Sequence, residues 1–475
     1  MALDLNQSNV DFENPVFKPM LKNLQANILK GHGRDFAYHM LFKFDASKIT
    51  AAKAWIRNFA HHKITSAHKQ LKDTSDFNLG EITDGGPIYT LSISASGYKA
   101  LGVENLIPQT SGFFKRGMKN TVADLSDNLD DWEAEFNTDI DMLIIVADMN
   151  SKNANKLADE VMREVGKFST PVKCQRGNVL KMNKIGIEHF GYADGISQPL
   201  YVADDIAAQR STFEWNDQTN LIRLLVPDAG EAEDSFGSYL VFRKLDQNVR
   251  GFKDAEGDNG DDKKKLPDVL DKAGHLNDDL PGALMVGRFE NSKPVVQSST
   301  GHMSNPPVVT NDFNYANDLQ AIKCPFHAHT RLMNPRNGDT QAGDVSERRI
   351  TRRGIPYDDV HRFDDENITN LTEKMLDDNQ PESGIGLLFM CYQNNIDNQF
   401  AILQEFWANA GNINGHDVNG NDSIISQGAP INKTFPKQWG KPEHTAPFNF
   451  GKFVTNKGGE YFFTPSISFL ETKLI

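Results

Sequence analysis

Ser238–Leu245 reads S-Y-L-V-F-R-K-L, an apolar and aromatic run that predicts a strand opening the second half of this 475-residue chain. A similar run, Y-H-M-L-F-K-F, stands near the front at Tyr38–Phe44. Working outward from the two runs finds halves that rhyme. In front, Ala51–His62 has helical spacing, I-Y-T-L-S-I-S at Ile88–Ser94 and D-M-L-I-I-V-A at Asp141–Ala147 read as strands, and Asn153–Val165 reads as a helix. Behind, G-L-L-F-M-C-Y-Q at Gly386–Gln393 leads into a helix from about Asn395 to Asn409. The pattern predicts an α+β fold of duplicated ferredoxin-like (split βαβ) units, antiparallel sheets with helices.

A chain of this length exceeds what one core usually supports. The expected division is an N-terminal domain over residues 1–202, a polar linker over 203–235 and a C-terminal domain over 236–475. Lys253–Asp268 is glycine-rich and highly charged, which predicts an exposed, mobile loop. Asn412–Ser426 reads as a turn-rich insertion; it loosely matches a calcium loop but lacks the closing glutamate.

Two segments carry chemistry. H-F-G-Y-A-D-G-I-S-Q-P, from His189 to Pro199, holds a lone carboxylate, Asp194, between glycines at 191 and 195. Glycines so placed allow a tight backbone and close approach to the carboxylate, which makes Asp194 a candidate catalytic acid; an aspartate folded back on its own turn reads equally well. C-P-F-H-A-H-T-R-L-M-N-P-R, from Cys324 to Arg336, places His327 and His329 two apart, and R-R-I-T-R-R-G-I-P-Y follows at Arg348–Tyr357. Imidazole is the commonest ligand of transition metals and haem iron. Three readings are open: both rings on one zinc or iron, one ring on haem while the other packs, or two ordinary imidazoles. No H-E-x-x-H or C-x-x-C supplies the further ligands that the first requires.

Composition narrows the class. A net charge of −14 argues against nucleic acid and anionic membranes as partners. The start, M-A-L-D-L-N-Q-S-N-V, lacks a basic region, an apolar core and a twin arginine, and no apolar run approaches the ~20 residues of a membrane span. Three cysteines cannot build a disulfide framework and suit a reducing compartment. The expectation is a cytoplasmic enzyme. Six arginines, Arg331, Arg336, Arg348, Arg349, Arg352 and Arg353, form a local basic patch suited to anionic groups.

On these segments the chain resembles the dye-decolourising peroxidases, in their longer fungal-like and cyanobacterial-like branches. Gly191–Gly195 is similar to the family's G-x-x-D-G, Cys324–Arg331 to its C-P-x-x-A-H-x-R and Arg352–Tyr357 to its R-R-G-x-P-Y. L-Q-A-N-I-L-K-G-H-G-R-D at Leu24–Asp35, F-G-S-Y-L-V-F-R-K-L at Phe236–Leu245, Gly386–Phe400 and G-G-E-Y-F-F-T-P-S-I at Gly458–Ile467 extend the likeness over nearly the whole chain. The resemblance implies a ferredoxin-like fold with haem b, one per chain, mainly in the second half. It implies His329 as the proximal iron ligand, although His327 stands where the family usually has a small residue. It further implies Asp397 as the acid that holds the ligand imidazole, Asp194 as distal acid/base for hydrogen peroxide, and Arg352 rather than Arg353 offsetting charge on the peroxide.

Arg331 is expected among the propionate contacts, with Leu387 and Phe389 lining the pocket. An aspartate stays ionised in acid, so the activity optimum should be acidic. Dyes too bulky for the pocket would give up electrons through a surface relay, for which Tyr357 is best placed, ahead of Trp215, Trp407 and Trp439. Dyes, phenols or other small reductants are the implied partners of hydrogen peroxide. Two other readings stay open: a non-haem metal hydrolase built on His327 and His329, and a haem-binding or iron-handling protein with incidental peroxidase turnover.

Overall fold

The structure, a computed structural model, describes residues 3–209, 218–230, 234–256, 266, 270, 279–301, 311–336 and 345–475. Eight main strands build it: β1 (Phe36–Phe44), β2 (Ile88–Ser94), β3 (Met142–Asp148), β4 (Ser169–Asn178), β5 (Phe236–Gln247), β6 (Ile355–Asp358), β7 (Ile385–Gln393) and β8 (Val454–Thr464). In the first half they lie in the order β2-β3-β1-β4, in the second in the order β6-β7-β5-β8, all antiparallel. The orders are the same, element for element. Each half is a ferredoxin-like unit, and the duplication expected from the sequence is present.

The two sheets join at both ends. β8 pairs with β2 through Phe462–Ser94 and Phe463–Ile93. At the other end β6 packs beside β4, so closely that a Cβ at Gly177 would lie 2.6 Å from Cγ2 of Ile355. The strands therefore circle an interior. Every residue of β2, β3 and β5 is buried, as strands require when one face meets that interior and the other a layer of helices.

The helices follow from spacing and caps. α1 (Ile49–His62) buries Ala52, Ile56, Phe59 and Ala60, one face of a 3.6-residue period. α2 (Ser151–Val165) starts where the Asn150 side chain accepts the N–H of Asn153, and it buries Ala154, Ala158, Val161 and Val165. Each large apolar side chain so buried contributes roughly 1.5–3 kcal/mol.

Several expectations need correction. β4 was not legible, because S-T-P-V-K-C-Q-R-G-N is polar and contains Pro171; the proline is accommodated at the register shift opposite Leu41 and Phe42. The helix expected over 395–409 is wound as π-helix, Asp397–Ala401 and Leu403–Ala408. Lys253 is not in an exposed loop: it lies in helix Val249–Glu256, half of which is buried, with its ammonium between Glu256 and Glu290. Most of the remainder of that stretch falls outside the described residues. The expected linker contains helix Ala203–Gln209 and the buried Leu221, Leu224 and Leu225.

Candidate active site

Asp194 is presented by a loop after the short strand Ile185–Ile187. Gly191 and Gly195 have φ of 101° and 77°, a region that side-chain-bearing residues rarely adopt, which is why glycine brackets the aspartate. The loop folds back on its strand: Asp194 donates its N–H to Gly186 O at 3.0 Å, and Ile187 bridges to Ala193. Arg352, on the short strand Thr351–Arg352 beside β7, brings Nη1 to 3.3 Å from Asp194 Oδ1 and donates Nη2 to Ile196 O at 2.6 Å. Its backbone N–H donates to Gln198 Oε1 at 3.0 Å, so the arginine is fastened to the same loop at two points. Arg353 turns away and donates to Asn27 O and Ile28 O.

His329 stands at the start of helix His329–Met333. Its Nδ1 is 2.8 Å from Oδ2 of Asp422, whose side chain is wholly buried while the imidazole is 25 % exposed. Oδ1 of Asp422 accepts the N–H groups of Ile424 and Ile425 at 2.7 and 2.9 Å. Burial pushes this carboxyl up, but the adjoining His329 ring and the two amides outweigh it, holding it below the usual carboxylate range. A carboxylate only accepts, so the proton of a neutral His329 sits on Nδ1 and Nε2 is left with a lone pair.

Asp194, Arg352 and His329 line one cavity of about 290 Å³, far more than the ~10–15 Å³ that a single water needs. Leu387, Phe389, Phe400, Leu403 and Trp407 supply apolar wall, and Arg336, Arg348 and Arg349 also lie on it.

Three sequence-based assignments do not hold. Asp397 does not meet His329: its Oδ1 accepts the N–H groups of Gly112 and Phe113 at 3.1 and 3.2 Å, at the start of helix Gly112–Arg116. Asp422, from the insertion read as a mere turn-rich loop, takes that place; the only signal was an acid after N-G-N. Arg331 is off the cavity wall, its guanidinium buried against Asp318 at 3.0 Å and Cys324 O at 2.6 Å, with the Tyr315 and Phe326 rings each 4.4 Å away. Tyr357 is 1 % exposed and donates to Asp246 Oδ1 at 2.8 Å, so it is no surface residue. Trp407 is buried on the cavity wall, and Trp215 lies outside the described residues.

His327 and His329 do not share a ligand position. His327 is buried 3.1 Å from Thr434 O and edge-on to Phe435, and burial pushes its imidazole down to about 4. Among the described residues no group of three or more His, Cys, Asp and Glu side chains could hold a metal ion. Among the described residues the two-histidine hydrolase site is therefore not formed.

The DyP dimeric alpha+beta barrel domain matches residues 23–180, and the Dyp-type peroxidase C-terminal domain matches residues 289–419. The multifunctional dye peroxidase DyP2 of Amycolatopsis sp. is 35 % identical over 471 residues, covering 95 % of this chain and 96 % of its own. The chain belongs to the dye-decolourising peroxidases. A dye-decolorizing peroxidase of Exidia glandulosa is 31 % identical over 405 residues, 82 % of this chain and 76 % of its own. The crystal structure of an Anabaena sp. DyP-type peroxidase superposes with a TM-score of 0.87 at 36 % identity, over 100 % of this chain and 99 % of that one.

As a dye-decolourising peroxidase the chain is a haem-dependent oxidoreductase that acts with hydrogen peroxide. The residues present fit that group. An imidazole backed by a buried carboxylate, with its other nitrogen free, is the donor that haem iron takes, and an apolar cavity with arginines on its wall suits a flat macrocycle bearing carboxylates. No helix among the described residues is long and apolar enough to cross a membrane.

Proposed function

We propose that this enzyme holds one haem b per chain through Nε2 of His329 and uses Asp194 and Arg352 to activate hydrogen peroxide for the one-electron oxidation of dyes, phenols or similar reductants. The observation that carries the reading is that a carboxylate-backed imidazole and a carboxylate–arginine pair line the same cavity. The names of the relatives, dye peroxidases of a bacterium and of fungi, support dyes as substrates.

Haem, when bound, supplies the electrons that cleave the peroxide bond and afterwards recovers them from the reductant. The chain's own residues handle protons and charge. Asp194 takes a proton from one peroxide oxygen and delivers it to the other, which leaves as water; such a base contributes typically ~10²–10⁴-fold. Arg352 offsets the negative charge that deprotonation creates, and its fastening to Ile196 and Gln198 keeps the guanidinium in place beforehand. Asp422 fixes the tautomer and orientation of His329 and makes its ring a stronger donor.

The same reading divides the chain at residues 202 and 236, since the strands of the two repeats, Phe36–Asn178 and Phe236–Thr464, fall on either side. It keeps the protein in the cytoplasm, with all three cysteines free. Haem titration of His329→Ala and His327→Ala tests the ligand. The first variant should lose the Soret absorption and the second keep it; the reverse order would overturn the assignment.

A further inference from the structure

Immediately before the glycine-bracketed loop stands Glu188, a cavity-lining residue that peroxide chemistry does not itself require. Its Oε1 accepts the N–H of Tyr192 at 2.9 Å, and its Oε2 accepts the N–H of Phe190 at 2.9 Å together with the side-chain amide of Gln247. The backbone of Glu188 is engaged as well: its N–H donates to Tyr192 O and its carbonyl accepts from Gly191, each at 3.0 Å. One carboxyl group therefore gathers the backbone of residues 188–192 around itself and ties it to the end of β5. That strand carries Arg243 and Leu245 on the cavity wall. Asp194 follows two residues after the last amide so held.

We propose that Glu188 is a positioning residue for Asp194, holding the loop to β5 so that the Asp194 carboxylate stays at its place in the cavity. This rests on Asp194 being the acid/base of peroxide activation. The hold survives protonation: a neutral carboxyl still accepts two hydrogen bonds on its carbonyl oxygen and one on its hydroxyl oxygen. A glutamine cannot match it, because its NH₂ would face one of the three donors.

Burial pushes the Glu188 carboxyl up to about 7, and the charge of Asp194 pushes the same way. The charged groups around it are Asp194 on the same loop, Arg362 through His189, and beyond Tyr192 the cluster of Glu256, Glu290 and Lys253. Because the ionised form is penalised in the fold, the stability associated with Glu188 is full below its ordinary value of 4.5 and is lost as pH rises through about 7.

The test uses haem-loaded protein and the second-order rate constant for its reaction with hydrogen peroxide. Glu188→Gln should lower that constant roughly tenfold, short of the ~hundredfold that a 1 Å misplacement can cause, with haem content and absorption unchanged. In an Asp194→Asn background the same substitution should have no further effect, because it acts through Asp194. A second readout is unfolding free energy against pH: relative to the parent, Glu188→Gln should gain stability from pH 5 to pH 8, as removal of a penalised carboxylate requires. An unchanged peroxide rate, losses that multiply in the double variant, or a stability difference independent of pH would each overturn the proposal. If Glu188→Gln fails to fold, Gln247→Leu severs the tie to β5 alone. It should lower the peroxide rate with the same silence in the Asp194→Asn background, and an unchanged rate overturns the proposal. An Asp194→Asn protein as fast as the parent would instead bring down the acid/base reading itself.

Discussion

Asp194 lines the cavity, Asp422 stands behind the His329 that lines it, and the surroundings of the two carboxylates differ. Asp422 is wholly buried and held by His329 and two amides, whereas Asp194 is part-exposed with one long side-chain contact, to Arg352. The sequence exposed the second and hid the first. A lone acid between glycines within eleven residues is a local signal, but His329 and Asp422 are 93 residues apart and nothing in either segment points to the other. Arg331 misled for the same reason, since its partner Asp318 lies upstream of the basic patch that suggested propionates. Asp422→Asn should weaken haem binding about 10–100-fold, the usual effect of losing a ligand's carboxylate partner. A haem titration that gives the parent affinity would contradict the role of this pair.

Periodicity made the elements with one buried stripe or an unbroken apolar run legible: α1, α2, β2, β3 and β7 lie within a few residues of where the sequence put them. It failed for β4, whose Pro171 and polar side chains look like a loop until β1 supplies the pairing. It also did not foresee the π-helix over Asp397–Ala408, because i→i+5 winding is rare and an apolar run reads by default as α-helix. Asp397 belongs to this scale. Its carboxylate accepts two amides at the start of helix Gly112–Arg116 and so joins the π-helix of one half to a helix of the other. Asp397→Ala should destabilise the protein by about 0.5–2 kcal/mol, as loss of a helix cap does, while leaving haem content at the parent level. Denaturant unfolding beside a haem assay checks both; loss of haem without loss of stability would return Asp397 to the iron site.

Across the whole molecule, the repeated strand order places the Asp194 loop of the first half against cavity walls supplied by the second, so neither half alone contains the site. The duplication was legible in the sequence, but the pairing of β8 with β2 and the packing of β6 beside β4 were not, since contacts between halves leave no local pattern. Buried titratable groups set how this assembly responds to pH. Burial pushes His39 and His189 down to about 4 and about 3, so neutral imidazoles in the fold lose stability as pH falls below their ordinary 6.5. Burial pushes Glu188 and Glu460 up to about 7, so their contribution is lost as pH rises from 4.5 through that value. Thermal midpoints should therefore peak on the mildly acid side, between about 4.5 and 6.5; a midpoint rising steadily from pH 5 to pH 8 would contradict this. The most direct test is the rate constant for hydrogen peroxide in Asp194→Asn loaded with haem to the parent level. A fall of at least ~10²-fold with unaltered haem absorption is predicted for loss of the base. A rate within threefold of the parent, roughly the scatter of a neutral substitution, would contradict it.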